Sequence, residues 1–375
     1  RKLFLMKTIS VNLKERSYAI AIGKNILKHL PRYLKSLSLP QEVFIVTNNQ
    51  IKNRYGRILK SCLKRGGFNA FFYITIDSEK AKSITNAVRL VEALADYARQ
   101  KKITVLAFGG GVIGDLASFI ASIYKRGVPL IHMPTTLLAQ IDASIGGKTA
   151  IDLTVAKNLV GTFYQPRLVF SELGFLVSLD KKQIRAGLAE AVKYAIIKDE
   201  GLFNFLEENH RLILSKDIQA LEHLVCECAK IKARIVELDE REEKGLRTIL
   251  NFGHTIGHAI EAAGDYAKYG HGEAVALGIL TASRASHYLG MLDSGVYQRI
   301  FNLITKMGLS QEINDIKVDD VIKAYKLDKK FIGKTNRLVL IKDIGKPVVC
   351  EDVPKEIIHK AIRELFTQPM RSGAG

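Results

Sequence analysis

Tryptophan is absent from the 375-residue sequence, and only four cysteines and eight prolines occur in it. Two of the cysteines, Cys226 and Cys228, are too closely spaced for a disulfide framework or a zinc knuckle, so we expect reduced, structural thiols. No apolar run approaches the roughly 20 residues of a membrane-spanning helix, so a membrane protein is not expected. The N-terminal run RKLFLMKTISVNL is too short in apolar residues for a secretory signal, and we expect a cytoplasmic protein.

The charge balance is strongly basic, with 56 Lys and Arg against 38 Asp and Glu and a formal net charge of +18. Such a balance is compatible with a nucleic-acid partner. However, the basic residues are scattered through periodic segments instead of being gathered into one arm, and tryptophan is lacking. We therefore predict no nucleic-acid partner and an anionic small-molecule substrate.

Two halves of the chain differ in their hydrophobic periodicity. In the first half, β-rich runs such as EVFIVTN and ITVLAF alternate with amphipathic runs, which predicts a mainly parallel sheet covered by helices. After about residue 180 long 3.6-residue periodicities dominate, and the only clear strand pattern is RLVLIKDIGKPVVC. We predict a Rossmann-like α/β domain over residues 1–179 and a mainly α-helical domain over residues 180–375.

The run VLAFGGGVIGDLASF predicts a strand, a glycine turn and a helix. Gly109, Gly111 and Gly114 match the spacing of a dinucleotide-binding loop, in which glycines bring backbone N–H groups close to a pyrophosphate. The acidic residue is Asp115, inside the helix, instead of lying about 20 residues later. A nucleotide-binding variant of the doubly wound fold is therefore favoured over the standard unit, and a tight turn without ligand is the alternative.

A second run, PTTLLAQIDASIGGKTAIDLTVAKNLVGTF, is rich in polar residues that have no obvious packing purpose. We predict a loop around a polar ligand, because its lysines, amide and glycine N–H groups suit a phosphate or a carboxylate. A solvated loop is the alternative. The polar residues are Thr135, Thr136, Asp142, Lys148, Lys157 and Asn158.

Histidines provide candidate metal ligands. His254 and His258 in NFGHTIGHAIE are four residues apart on a predicted helix, and His271 begins another helix in YGHGEAVALG. With Glu190 of AGLAEAVKYAII, His254 and His271 would make a three-ligand set with one open position, as catalytic zinc requires. Satisfied structural histidines are the alternative, and Glu190 with Lys193 fits either a surface ion pair or a buried site.

These runs, in this order, resemble those of the 3-dehydroquinate synthases, from about residue 40 to the run DKKFIGKTNRLVLIKDIGKP. The resemblance implies conversion of 3-deoxy-D-arabino-heptulosonate 7-phosphate (DAHP) into 3-dehydroquinate and phosphate, the second step of the shikimate pathway. It also implies NAD, Zn²⁺ with Co²⁺ as an alternative, and a homodimer.

The resemblance assigns roles to individual residues. Glu190, His254 and His271 match the metal ligands. Substrate contacts fall on Asp142, Lys148, Asn158, Lys193, Lys232, Arg247, Asn251 and His258. Arg126 matches an arginine that reaches a neighbouring subunit, and one of Lys329 and Lys330 is expected at the phosphate.

NAD contacts are implied along the first half of the chain. Asn48 stands where the family often has an Asp for the adenosine ribose, and Ser78 replaces a usual Gly, so altered NAD affinity is expected. The run LVSLDKKQ also lacks the family's usual Thr and Pro. The implied contacts are Asn48, Glu79, Lys82, Gly110, Gly111, Asp115, Thr135, Thr136, Lys148, Lys157, Phe175, Ser178 and Leu179.

Two other enzyme classes fit parts of this pattern. Another sugar phosphate cyclase would not need the carboxylate contacts expected of Lys232 and Arg247, and a metal-dependent dehydrogenase of the glycerol dehydrogenase type would release NADH at each turnover. The resemblance thus implies a 3-dehydroquinate synthase, and these two enzyme classes stay as alternatives.

Overall fold

The computed structural model describes residues 6–153, 156–327 and 336–366. Their packing divides the chain into two compact units. Unit 1 runs from the start of the described chain to Asp180 and includes Lys216–Arg241, and unit 2 comprises Lys181–Ser215 and the chain from Glu242 onward. The sequence-based prediction of one boundary after residue 179 differs here, because it assigns Lys216–Arg241 to the second domain. Amphipathic periodicity shows that a helix has an apolar face, but it does not show which core that face joins.

Unit 1 is built on a seven-stranded sheet in the order β1-β2-β9-β6-β5-β3-β4. Strand β1 is antiparallel to β2, and every other pairing in this sheet is parallel. A separate antiparallel hairpin joins β7 to β8. The strands are β1 Lys7–Val11, β2 Tyr18–Gly23, β3 Glu42–Asn48, β4 Asn69–Thr75, β5 Ile103–Gly109, β6 Leu130–Pro134, β7 Ile151–Leu153, β8 Ala156–Val160 and β9 Leu168–Glu172.

Helices cover both faces of this sheet because its central strands are apolar on both sides. Phe44 and Val46 belong to one core, whereas Val43 and Ile45 belong to the core on the opposite face. This layering confirms the predicted α/β class. The helices of unit 1 are α1 Leu30–Ser36, α2 Asn49–Ile51, α3 Arg57–Arg65, α4 Ile84–Ala98, α5 Gly111–Ile123, α6 Gly174–Val177 and, from the second segment, α9 Ile218–Leu238.

Unit 2 is mainly helical, as predicted, and surrounds one buried helix. Twelve residues of helix α7 are buried, Ile184 and the continuous run 187–197, because the helix is apolar around most of its circumference. The predicted late strands form the antiparallel hairpin β10 Arg337–Asp343 and β11 Lys346–Glu351. The helices are α7 Lys181–Lys198, α8 Glu200–Leu214, α10 His254–Ala263, α11 His271–Tyr288, α12 Ser294–Lys306, α13 Val318–Lys326 and α14 Lys355–Arg363.

Glycines allow helices α10 and α11 to approach closely. A Cβ on Gly278 would lie 1.9 Å from the carbonyl oxygen of Gly253, and a Cβ on Gly272 would lie 2.3 Å from Cα of Ala186. Larger residues would therefore separate the helices that carry His254, His271 and Glu190. Among the described helices, none is both long and apolar enough to cross a membrane.

The polar run after β6 is more ordered than predicted. It was expected to be a loop, but Ala139–Ala143 forms a turn of π-helix and the following segment contains the β7–β8 hairpin. The buried side chain of Gln140 explains the helical turn, because its Nε2 donates to the carbonyl oxygens of Pro134 and Glu172, each at 3.1 Å. A sequence rich in polar residues does not reveal such buried amide contacts.

Candidate active site

The carboxyl edge of the unit 1 sheet has the topology of a nucleotide site. The order of the strands reverses at β3, which lies between β4 and β5. Ligands of open α/β sheets bind where connections leave such a point in opposite directions. Asn48 ends β3 here, and Gly109 ends β5 immediately before α5.

The glycine turn between β5 and α5 leaves room for an anion at the helix start. Gly110 is the N-cap of α5 and supplies no side-chain cap to the first-turn N–H groups. A Cβ at Gly110 would lie 3.2 Å from Cγ2 of Thr136, and the N–H of Thr135 donates to the carbonyl of Gly109 at 2.9 Å. A 13-residue helix with uncapped N–H groups suits a pyrophosphate. The predicted positions Gly110, Gly111, Thr135 and Thr136 thus lie together.

A buried lysine joins several predicted contacts in unit 1. Lys82 is 3% exposed, and its Nζ lies 2.9 Å from Oδ2 of Asp115 and 3.4 Å from Oε1 of Glu79. It also donates to Oδ1 of Asn158, whose N–H donates to Oδ1 of Asp152 at 2.7 Å. Burial raises the pKa of Asp115, and the Lys82 ammonium opposes that shift. The ammonium of Lys82 thus faces the carboxylates of Asp115 and Glu79, and the network joins Asn158, a predicted substrate contact, to three predicted NAD contacts. Asp152 was not predicted.

The remaining cofactor positions lie at the ends of β3 and β9. The Nδ2 of Asn48 donates to Oδ1 of Asp77 at 2.6 Å, an acid that the sequence analysis did not single out. Oγ of Ser178 lies 2.6 Å from the hydroxyl of Tyr55, whose ring centroid is 4.7 Å from that of Phe175. These contacts hold the adjacent Phe175–Leu179 segment in place.

Two lysines predicted near both ligands lie in and beside the hairpin. Lys148 is exposed and forms an isolated antiparallel bridge with Phe163, while Lys157 is half-buried in β8. Farther along, the carbonyl of Leu179 accepts a hydrogen bond from Lys216. All predicted NAD positions therefore belong to unit 1.

Two further predicted substrate contacts pair with each other in unit 1. The Nζ of Lys232, on α9, forms an ion pair with the carboxylate of Asp142 and donates to its backbone carbonyl at 2.8 Å. Lys232 is 8% exposed, so Asp142 fixes a largely buried cation. Arg126, predicted to reach a neighbouring subunit, lies exposed in the turn after α5 with a left-handed φ of 66°.

Unit 2 brings Glu190, His254 and His271 together from helices α7, α10 and α11. Oε1 of Glu190 lies 3.2 Å from Nε2 of His254 and 3.2 Å from Nε2 of His271. One ligand atom from each residue lies within 4.8 Å of the other two. The Glu190 side chain is fully buried, whereas that of His271 is 37% exposed, so the cluster is accessible from the His271 side.

The two histidine rings face Glu190 in different electrostatic states. Burial lowers the pKa of His254 to about 4, aided by the ammonium of Lys193. Burial opposes protonation of His271 too, but hydrogen bonding with the carboxylates of Glu190 and Glu261 raises its pKa to about 10. In the metal-free cluster these contacts favour a protonated His271, beside the ammonium of Lys193 that faces Oε2 of Glu190.

This donor set fits a divalent metal ion. In a tetrahedral zinc site with bonds of about 2.0 Å, neighbouring ligand atoms are separated by roughly 3.3 Å. Glu190 Oε1 has this spacing, 3.2 Å, to both imidazole nitrogens. Nδ1 of His254 lies 3.2 Å from the carbonyl of Phe252, which selects the tautomer with the Nε2 lone pair directed at the cluster. A metal at Nε2 of His271 would take the place of a proton.

The other predicted unit 2 residues surround this cluster or lie on the preceding segment. Lys193, 3% exposed, forms an ion pair with Oε2 of Glu190, so the pair is buried and is not a surface contact. His258 lies on α10 with its ring centroid 5.5 Å from that of His254. Arg247 is buried, with Nε 3.3 Å from Oε1 of Glu242, in the short 3₁₀ helix that ends at Asn251. Lys329 and Lys330 lie outside the described residues.

Sequence reasoning missed Glu261 although it ends the quoted run NFGHTIGHAIE. Its Oε1 lies 3.5 Å from Nδ1 of His271. The signal was available, because an acid three residues after His258 and seven after His254 lies on their helical face. The four cysteines are free, and Cys62, Cys226 and Cys228 are buried, which agrees with the prediction of reduced thiols.

The fold and the Glu–His–His cluster place this chain in a class of proteins that combine a mainly parallel α/β unit with a mainly helical unit carrying a candidate metal site. Within this class, models of the N-terminal and C-terminal parts of 3-dehydroquinate synthase match residues 72–186 and 187–331. The chain belongs to the 3-dehydroquinate synthase family.

Relatives named 3-dehydroquinate synthase support this membership over nearly the whole chain. The 3-dehydroquinate synthase of Thermoanaerobacter pseudethanolicus is 41% identical and covers 94% of this chain and 99% of its own. That of Desulforamulus reducens is 42% identical and covers 93% and 97%. The predicted family is thereby confirmed.

Solved structures show the same fold with related activities. A 2-deoxy-scyllo-inosose synthase complexed with carbaglucose-6-phosphate, NAD⁺ and Co²⁺ has a TM-score of 0.87 and 26% identity, covering 96% of this chain and 100% of its own. A 2-epi-5-epi-valiolone synthase from Streptomyces hygroscopicus subsp. jinggangensis, with NAD⁺ and Zn²⁺ bound, has a TM-score of 0.85 and 28% identity, covering 94% and 98%. A glycerol dehydrogenase from Schizosaccharomyces pombe, at 16% identity, covers 91% of this chain and 87% of its own, and its TM-score of 0.65 shows likeness of fold alone.

Proposed function

We propose that the protein converts DAHP into 3-dehydroquinate and inorganic phosphate, in the shikimate pathway, as the family name implies. The observation that carries this proposal is the buried Glu190 carboxylate with an imidazole nitrogen 3.2 Å away on each of two helices, in a chain of this family. The reaction oxidises a hydroxyl, eliminates phosphate, reduces the ketone again, opens the ring and closes it by an intramolecular aldol step.

NAD and a divalent metal are the proposed cofactors, with Zn²⁺ as the first candidate and Co²⁺ as the second. When bound, NAD supplies a reversible hydride acceptor and the metal supplies a Lewis acid for the hydroxyl to be oxidised. Support for NAD comes from the start of α5 at Gly110, which has no side-chain cap, and from the reversal of the strand order at β3. Support for the metal comes from its two imidazoles and one carboxylate.

In unit 2, we assign Glu190, His254 and His271 to the metal and four further residues to the substrate. Lys193 is the first of the four substrate residues, and it also holds Oε2 of Glu190, which leaves Oε1 directed at the imidazoles. Arg247 binds the substrate carboxylate, since a buried guanidinium favours a second anionic partner beside Glu242. Asn251 and His258 are assigned to the phosphate.

In unit 1, the substrate residues are Asp142, Lys148, Asn158 and Lys232. Asp142 orients Lys232, which is assigned to the substrate carboxylate. Lys148 and Asn158 contact the phosphate, and since Oδ1 of Asn158 accepts from Lys82, the Nδ2 group is the donor available for it. The NAD contacts are assigned to the residues that the resemblance implies, namely Asn48, Glu79, Lys82, Gly110, Gly111, Asp115, Thr135, Thr136, Lys148, Lys157, Phe175, Ser178 and Leu179.

Proton transfer during elimination is assigned to the departing phosphate itself. A phosphate oxygen is basic enough to take the proton from the carbon next to the new ketone, so no side chain is required as a dedicated base. The protein's contribution is then to bind and orient the phosphate and to exclude water.

A homodimer is also part of the proposal. Exposed Arg126 follows α5, and Ile123 and Phe163, 46% and 41% exposed, present apolar surface around it. Ser122 and Thr162 connect these segments, with their hydroxyl oxygens 2.9 Å apart. An apolar surface beside a basic residue suits a second copy whose site Arg126 would enter. Cytoplasmic location stays a prediction of the sequence.

Phosphate release from DAHP tests the function. The purified chain is assayed with NAD and Zn²⁺ beside a sample stripped with EDTA, while NADH absorbance is followed. We expect phosphate release that needs metal and NAD and accumulates no NADH. Silence in the zinc-loaded sample would contradict the proposal.

The same assay separates the two alternatives. Glucose 6-phosphate in place of DAHP tests for a cyclase whose substrate lacks a carboxylate, and we expect no phosphate release from it. Steady NADH formation from glycerol would indicate a dehydrogenase. Phosphate release from glucose 6-phosphate, or NADH formation from glycerol, would remove the assignment of Lys232 and Arg247 to a substrate carboxylate.

A further inference from the structure

The ring of His271 lies between carboxylates from two different helices. Its Nε2 is 3.2 Å from Oε1 of Glu190 on α7, and its Nδ1 is 3.5 Å from Oε1 of Glu261 on α10. The Glu261 side chain is only 12% exposed. Neither the metal set nor the substrate set described above uses this buried acid.

We propose that Glu261 is a positioning residue for the metal ligand His271. Its carboxylate accepts the Nδ1 proton, which orients the ring so that Nε2 faces the proposed metal position beside Glu190, and it raises the basicity of that ligand nitrogen. The inference rests on the metal site of the proposed function, and it concerns a residue that does not itself touch the metal.

Helix α10 thereby contributes both a proposed metal ligand and a supporting carboxylate to the same cluster. His254, His258 and Glu261 are spaced by four and three residues and lie on one face of α10. His254 supplies a ligand from that face, and Glu261, two turns later, supports the ligand that α11 provides. A shift of α10 would therefore disturb both imidazoles together.

The two imidazoles are supported differently. Nδ1 of His254 meets the backbone carbonyl of Phe252, 3.2 Å away, which is neutral and fixed by the turn before α10. Nδ1 of His271 meets a charged side chain, which mutation can remove. Glu273, two residues after His271, accepts from the N–H of Gly270 at 2.8 Å and so serves the start of α11.

Metal binding by four forms of the full chain tests the inference. The forms are the parent, Glu261→Gln, Glu261→Ala and Glu207→Gln, the last a matched control whose carboxylate pairs with Arg299 at 2.7 Å elsewhere in unit 2. Each is stripped of metal and titrated with Co²⁺ against a chelator, and the visible Co²⁺ spectrum is recorded at saturation. Far-ultraviolet circular dichroism verifies folding.

Loss of such a supporting group typically weakens metal affinity 10- to 100-fold, so we expect Glu261→Ala to bind Co²⁺ roughly that much more weakly. Glu261→Gln keeps an acceptor without the charge and should lose less, with a shifted Co²⁺ spectrum. Glu207→Gln should match the parent.

Two failures are distinguishable. If the parent binds no Co²⁺, the proposed metal site itself is wrong. If the parent binds and both Glu261 variants bind within about twofold with an unchanged spectrum, the positioning role is overturned. Should Glu261→Ala not fold, the isosteric Glu261→Gln decides by the same criteria.

Discussion

Each unit contains a cluster of charged groups around a buried residue, Lys82 in unit 1 and Glu190 in unit 2, and the two clusters are balanced differently. In unit 1, Lys82 meets Asp115 and Glu79, so a cation is already present among the acids. In unit 2, Glu190 meets one lysine and two imidazole nitrogens, and the contacts of His271 with Glu190 and Glu261 favour a further proton on that ring.

The difference shows what each cluster can bind. The cation of the Lys82 cluster is a lysine side chain and cannot be exchanged. The cluster therefore suits a structural role beside a polar ligand. The Glu190 cluster depends on an exchangeable proton at His271, and a divalent cation can replace that proton while using the same nitrogen. The two clusters therefore differ in whether their positive charge could be exchanged for a metal ion.

Removal of the carboxylate from the unit 2 cluster should have the largest effect. Glu190→Gln keeps the shape but loses the charge, so we expect loss of bound metal after dialysis. Because a metal contributes several kcal/mol to such a reaction, kcat/KM for phosphate release should fall roughly 10³-fold or more. Metal content and initial rates check this, with Glu207→Gln as control. A variant that keeps one metal per chain would show that Glu190 is not a ligand.

Removal of the cation from the unit 1 cluster should act mainly on stability. Lys82→Met leaves Asp115 without its ammonium, and breaking such a buried pair costs about 3 kcal/mol of unfolding free energy. Asp115→Asn in the same chain should recover part of that loss, because the remaining charge is then removed as well. Urea denaturation of the parent, both single variants and the double variant measures the coupling. Strict additivity of the two losses would show that the pair does not interact.

The comparison also explains what sequence could predict. Glycine spacing and strand alternation predicted the α/β unit and the start of α5, because both depend on local periodicity. The long motifs located Glu190, His254 and His271. Local patterns did not place α9 in unit 1, nor did they indicate the contact of Asn158 with Lys82, since both depend on which distant surfaces meet.

Glu261 illustrates the same limit at the level of one side chain. Its helical spacing from His254 was visible in the sequence, but its partner His271 lies on another helix. Spacing within α10 could show that the acid shares a face with the histidines. Only the packing of α10 against α11 shows which nitrogen it meets.

A buried histidine of unit 1 provides the smallest test, because it has no carboxylate partner among its described contacts. Burial lowers the pKa of His132 to about 4, and Nε2 lies 3.0 Å from the hydroxyl of Ser118. A folded pKa below the unfolded value of about 6.5 means that the unfolded chain takes up the proton first as pH falls. Stability should thus be lost between pH 6.5 and 4, by about 2 kcal/mol at pH 5 relative to neutral pH. Urea denaturation at both pH values, compared with His132→Gln and with exposed His223→Gln, isolates this contribution. An equal pH dependence in the parent and His132→Gln would mean that burial alone does not depress a histidine pKa in this unit, and the contrast with His271 would then lose its basis.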